Sequence, residues 1–214
     1  MSHVSKVLVV CSSPRRDGNS SMLAQAAAEG ATERGHQVEV VHLIDFVEGS
    51  LRDCRACRNS SGECTIDDGY ADLFLNKALL ADAIIFATPL HYYGMTGRLK
   101  NFFDRVFCYT SGSAPNGAAH ASALPGKQVG LLISCEESYP GANLALIAQF
   151  QEITRYNHQS LVGVVVGLAN SRGEIVRDSS DPLARARELG QRIMDISVTD
   201  YRLDTDRSNH VWEK

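Results

Sequence analysis

No apolar run in this 214-residue chain approaches the roughly 20 residues that a bilayer crossing needs, and no basic lead followed by an apolar stretch opens it. A cytoplasmic protein without membrane contact is expected. No block of like charge occurs either: 21 basic and 25 acidic residues are mixed along the chain for a formal charge of -4, which leaves no electrostatic footprint for nucleic acid. Small molecules are the expected partners. Cysteine is scarce, with six residues at positions 11, 54, 57, 64, 108 and 135, too few and too scattered for a disulfide scaffold in a chain of this size. Internal repeats, linkers and low-complexity stretches are absent. One domain over residues 1–198 is expected, followed by a tail over 199–214 that is polar apart from Tyr201, Val211 and Trp212. That tail reads as a partly ordered terminus or as an arm packing on a neighbouring subunit.

What is present is alternation. Residues 6–11, 37–41, 83–88, 128–134 and 161–168 are short runs rich in valine, isoleucine and leucine, suited to strands buried on both faces. Segments with helical spacing separate them, such as Leu99, Phe102, Phe103 and Val106, or Ala186, Leu189, Gly190 and Ile193. Gly35 can end the first helix, Asp67 or Asp68 can cap the second, and Asp181-Pro182 forms an N-cap and first-turn pair for the last. Strict alternation predicts an α/β fold, a five-stranded doubly wound parallel sheet of order 2-1-3-4-5 in three αβα layers. Ligands then sit beyond the carboxyl ends of the strands, at the switch between strands 1 and 3.

The first loop, Cys11-Ser-Ser-Pro-Arg-Arg-Asp-Gly-Asn-Ser-Ser21, precedes an alanine-rich helix. Hydroxyls, an arginine and the backbone N–H groups of a helix N-terminus are what a phosphate dianion needs. The same residues also make ordinary turns and caps. Neither the lysine of GxxxxGK[ST] nor GxGxxG is found, which disfavours nucleoside triphosphates and the ordinary dinucleotide fold. After strand 3 the chain reads Thr88-Pro-Leu-His-Tyr-Tyr-Gly94 and then Leu99-Lys-Asn-Phe-Phe-Asp-Arg105. Pro89 stops the strand, and the following loop offers aromatic faces and free amides to a ring. His91 is a candidate proton donor, with backbone contact to a ring as its plainer role. Lys100, Asp104 and Arg105 are candidate functional residues, with solvated or paired positions on an amphipathic helix as their plainer reading. The loop from Ser134 to Gly141 falls at the same sheet end, either as a site wall or as a polar turn.

These motifs resemble the NADPH-dependent FMN reductase and flavodoxin-like NAD(P)H oxidoreductase superfamily: Ser13-Pro14-Arg15 with Gly18-Asn19-Ser20, and Thr88-Pro89 followed by the aromatic loop and the Leu99 to Arg105 helix. The resemblance implies a flavodoxin-like fold and bound FMN. It implies that Ser13, Arg15, Gly18, Asn19, Ser20 and Ser21 hold the phosphate, and that Pro89, Leu90, His91, Tyr92, Tyr93, Gly94 and Ser134 line the ring. Ser12 stands where the family often has glycine. The implied activity carries hydride from NADPH or NADH through FMN to a small acceptor: a quinone, free flavin, an azo or nitro compound, or a metal ion. A homodimer or homotetramer is implied as well, since a neighbouring subunit usually finishes the open flavin face.

Two alternatives share the fold. A flavodoxin-type electron carrier is usually markedly acidic on its docking face, which the near-balanced charge here opposes. An iron-sulfur flavoprotein carries a compact run of four cysteines in the region of Cys54, Cys57 and Cys64. Ser60 occupies the place of the missing thiolate, and no histidine lies between His42 and His91 to complete a zinc site. Structural thiols therefore rank ahead of a modified metal site, and that ahead of disulfide chemistry.

Overall fold

The computed structural model describes residues 4–51 and 58–196. Five strands, β1 (Lys6–Cys11), β2 (Gln37–His42), β3 (Ala83–Pro89), β4 (Gln128–Cys135) and β5 (Ser160–Leu168), form one sheet of order β2-β1-β3-β4-β5. Every pairing is parallel. The expected order and strands are therefore observed, each within about a residue of its expected bounds. Alternation along β1 divides the core: Leu8 and Val10 face one layer, Val7, Val9 and Cys11 the other. The first layer holds α2 (Gly97–Thr110), α4 (Leu144–Tyr156) and a π-helical segment, Asp72–Ala78. The second holds α1 (Asn19–Glu33) and α5 (Pro182–Arg192). A short α3 (Gly117–Ser122) precedes β4 and interrupts the simple alternation. Among the described residues no helix is long and apolar enough to cross a membrane.

The helix boundaries follow local chemistry. Gly35, at φ +83°, lies just past the end of α1. Asp181 accepts a hydrogen bond from the Ala184 N–H, with Pro182 at the first position of α5. Asp68 accepts from the Tyr70 N–H at 3.2 Å where the second helical segment begins. Small residues let α1 and α5 approach closely. A Cβ on Gly30 would lie 2.0 Å from the Arg187 carbonyl oxygen, and one on Gly190 would lie 2.0 Å from that of Ala27.

Arg105 is paired, one of the two readings expected of it, but the pair is buried rather than solvated. Its side chain is wholly buried, with Nη1 and Nη2 donating to Asp68 Oδ2 and Oδ1 at 2.6 and 2.8 Å and the guanidinium 4.2 Å from the Tyr70 ring centroid. Asp68 Oδ2 also accepts from the N–H groups of Glu48 and Gly49, both at 3.0 Å. The Gly49 carbonyl accepts from Arg105 Nη1 and Asn101 Nδ2. α2 thus pins both flanks of the segment that carries the clustered cysteines. Lys100 and Asp104, by contrast, form an exposed i,i+4 pair on the same helix.

Candidate active site

The first loop turns sharply out of β1. Ser12 Oγ donates to Thr88 Oγ1 at 2.8 Å, which joins the ends of β1 and β3. Ser13 Oγ accepts from the Arg15 N–H at 3.2 Å, and the Gly18 N–H donates back to the Arg15 carbonyl at 3.1 Å. Gly18 is the N-cap of α1, and neither a capping side chain nor a first-turn acid meets the helix there. The first-turn N–H groups of an α-helix have no intrahelical partner. Together with the positive end of the helix dipole they form a donor set matched to an anion. Arg15 is exposed beside them, and its guanidinium makes no hydrogen bond or ion pair among the described residues. Arg16 points elsewhere, onto both oxygens of Asp45 at 2.7 and 2.8 Å.

These groups form one end of a cavity of about 390 Å³ beyond the carboxyl ends of β1, β3, β4 and β5. Ser13, Arg15, Gly18, Asn19 and Ser20 line that end. Ser20 Oγ and Ser134 Oγ lie 2.7 Å apart and join the first loop to β4. Asn19 reaches the opposite way, donating from Nδ2 to the Ser171 carbonyl at 2.9 Å and accepting the Ile175 N–H at 3.4 Å. Ser21 lies below the loop rather than on the cavity wall, its hydroxyl bonded to the Arg15 carbonyl at 2.7 Å.

Pro89, Leu90 and His91 form another wall, and the Leu90 N–H donates to the Ser134 carbonyl at 2.9 Å. Beyond them His91 and Gly94 exchange two backbone hydrogen bonds, each 3.0 Å, around Tyr92 and Tyr93 at φ +46° and +61°. This is a two-residue turn with both central residues left-handed, a geometry that normally selects asparagine and glycine. Tyr92 is fully exposed, and neither tyrosine nor Gly94 lines the cavity. The Glu137 carboxylate, with Tyr139, holds the Tyr93 phenol above its ordinary value and hydrogen-bonds it. Tyr92→Asn is expected to raise stability by about 1 kcal/mol, since asparagine accepts the left-handed conformation and no contact is lost. Urea denaturation checks this, and an unchanged midpoint would show the turn to be unstrained.

Ser134, Cys135 and Glu136 complete the β4 side. Burial pushes the Cys135 thiol up, so it stays protonated near neutrality. The remaining wall, Ala169, Asn170, Ser171 and Arg172, was not anticipated. Its signal was topological: any loop following a strand of a doubly wound sheet opens at the ligand end. Arg172 Nη1 lies 3.2 Å from Asp17 Oδ2 on the first loop.

A larger groove of about 640 Å³ runs between α1, α5 and the β2 edge, past Met22, Val40 and Leu183. Its arginines are already engaged, Arg16 with Asp45 and Arg187 with Glu33. The uncapped helix end and the unengaged guanidinium belong to the smaller cavity. Chemistry rather than size selects that one. Cys54 and Cys57 lie outside the described residues. Cys64 shares an antiparallel bridge with Arg58, and Ser60 is exposed in the turn between them. Among the described residues no group of three His, Cys, Asp or Glu side chains is placed to hold a metal.

Residues 5–171 match the family model described as NADPH-dependent FMN reductase. An iron-sulfur flavoprotein of Archaeoglobus fulgidus is 28% identical over 208 residues, covering 93% of this chain and 83% of the relative. YwqN of Bacillus subtilis (strain 168), assigned as an NAD(P)H-dependent FMN-containing oxidoreductase, is 29% identical over 184 residues, covering 86% of this chain and 96% of its own. In fold, the chain resembles an NAD(P)H:quinone oxidoreductase from Methanothermobacter marburgensis with a TM-score of 0.69 at 17% identity, over 94% of this chain and all of that one.

Proposed function

The chain belongs to the NADPH-dependent FMN reductase family, and on that premise we propose that it binds FMN in the 390 Å³ cavity and passes electrons from NADPH or NADH to a small planar acceptor of the quinone class. The observation that carries this reading is the pairing, within one cavity, of an uncapped helix N-terminus and an unengaged Arg15 with the Pro89 to His91 wall. The volume falls within the range of roughly 300–1,000 Å³ usual for cofactor sites. The donor chemistry fits a phosphate at one end, and the apolar wall fits a ring at the other.

Bound FMN supplies the electron-transfer chemistry, and the protein supplies orientation and electrostatics. Ser13, Arg15, Gly18, Asn19 and Ser20 serve the phosphate, through side chains or backbone N–H groups. Ser21 and Asn19 hold that loop in shape through their bonds to Arg15 and Ser171. Pro89, Leu90 and His91 cover one side of the ring and exclude water from it, while Ser134 fixes the Leu90 backbone. His91, exposed at the wall, is our candidate proton donor to a reduced acceptor, with backbone contact to the ring as its plainer role. Tyr92, Tyr93 and Gly94 form the outer rim. A rim with exposed Tyr92, Tyr93 and Tyr139 favours a planar aromatic acceptor over a charged metal chelate. A second subunit covering that rim, in a homodimer or homotetramer, belongs to the same reading, and sizing as a monomer at working concentration would count against it. A cytoplasmic setting, which supplies the reduced nicotinamide, also fits.

The test is the visible spectrum of the purified protein supplied with FMN, before and after anaerobic NADPH or NADH. Retained yellow colour, bleached by one nucleotide and restored by a quinone, is the expected result. A colourless protein that takes up no FMN would falsify the reading. A broad brown absorption with bound iron would favour the iron-sulfur alternative.

A further inference from the structure

The first loop offers a phosphate group little net charge. Arg15 is unengaged, Arg16 is committed to Asp45, and Asp17 places a carboxylate in the same turn. A phosphate monoester carries roughly -1.5 to -2 near neutral pH. The helix N-terminus supplies neutral donors, and Asp17 offsets the charge of Arg15, so a second cation would strengthen the site. It stands on the opposite wall. Arg172, between β5 and α5, lines the same cavity and touches Asp17 through a single Nη1 contact at 3.2 Å. A guanidinium has five N–H donors, so most of its donor capacity stays available. The backbone beneath it is held in register with the first loop, because Asn19 binds both the Ser171 carbonyl and the Ile175 N–H.

We propose that Arg172 is a phosphate-binding residue of this cavity, facing Arg15 across the terminal phosphate of FMN while its contact with Asp17 neutralises the carboxylate that would otherwise repel the ligand. This rests on the reading of the cavity as the FMN site. The phosphate group is thus held between cations from the first and last loops of the sheet's ligand end.

Fluorescence titration with FMN and with riboflavin, which has the same ring and side chain without the phosphate, tests it. Arg172→Ala is expected to weaken FMN binding by about tenfold or more, through loss of a charge-assisted hydrogen bond. Riboflavin affinity is expected to stay within about twofold, since no phosphate contact is at stake. Adding Asp17→Asn to that variant recovers part of the loss, and Arg172→Lys keeps the charge and loses less. Unchanged FMN affinity in Arg172→Ala overturns the proposal, as does an equal loss for both flavins. A shift confined to the KM for NADPH over NADH overturns it too, by moving the residue to the donor's phosphate. Wild-type protein that binds neither flavin removes the cavity reading and this inference together, a result distinct from the other three.

Discussion

Arg105→Ala is expected to lower folding stability by about 3–5 kcal/mol, because it leaves the Asp68 carboxylate buried without a counter-charge. The change also removes the guanidinium stacked 4.2 Å from Tyr70 and the bond to the Gly49 carbonyl. Urea or thermal unfolding measures it, and a loss below about 1 kcal/mol would mean the pair is not desolvated as its geometry implies. The same pair predicts a pH dependence. Burial pushes the Asp68 carboxyl up, but the Arg105 hydrogen bonds, followed by the N–H groups of Gly49, Glu48 and Tyr70, outweigh it and bring the group to about 2. An unfolded aspartate titrates near 3.9, on the order of two units higher. The depressed folded value means that Asp68 contributes its stability fully above about pH 4 and loses it as pH falls toward 2. Asp68→Asn is therefore expected to flatten stability between those values while lowering it at neutrality. A variant whose acid limb matches the wild type would overturn this assignment.

Gly30→Ala is the second large effect, expected to cost about 3 kcal/mol or more, at or beyond the upper end of ordinary overpacking. The added methyl meets a backbone carbonyl at 2.0 Å rather than the flexible end of a side chain, so the α1–α5 contact must open. Gly190→Ala presses the same contact from the other helix, and the two changes should combine less than additively because one separation relieves both. Gly35→Ala is the control: its space is open but φ is +83°, so only the left-handed strain of roughly 1–2 kcal/mol is at stake. Equal melting temperatures for Gly30→Ala and the wild type would remove the close approach.

The strands were legible because parallel strands buried on both faces read as continuous apolar runs, and the order followed from the alternation. Asp181-Pro182 and Gly35 marked helix ends through chemistry confined to a few residues. Interactions between distant residues were not legible. Arg105 sits on a helix whose neighbours Lys100 and Asp104 are solvated, and its partner Asp68 is 37 positions away. The site divides in the same way. The composition of the first loop announced a set of donors, yet the directions in which Asn19 and Ser21 point depend on Ser171, Ile175 and the Arg15 carbonyl. Arg172 lies in no motif that the sequence offered, and only the sheet brings it to Asp17, 155 residues earlier in the chain.

The Asn19 contact also bears on biosynthesis. Asn19 binds Ser171 and Ile175 across separations of 152 and 156 residues. A chain made from its N-terminus exports the first loop early, but the partners that lock it emerge only after β5 has been translated. Closing so long a loop carries an entropic cost that local contacts cannot offset until the sheet is nearly whole. The first loop, the proposed phosphate cradle, is therefore among the last parts to acquire its final shape, although it stands near the beginning of the message. A nascent chain stalled before β5 should retain no FMN, which delays cofactor capture until the rest of the sheet can hold it.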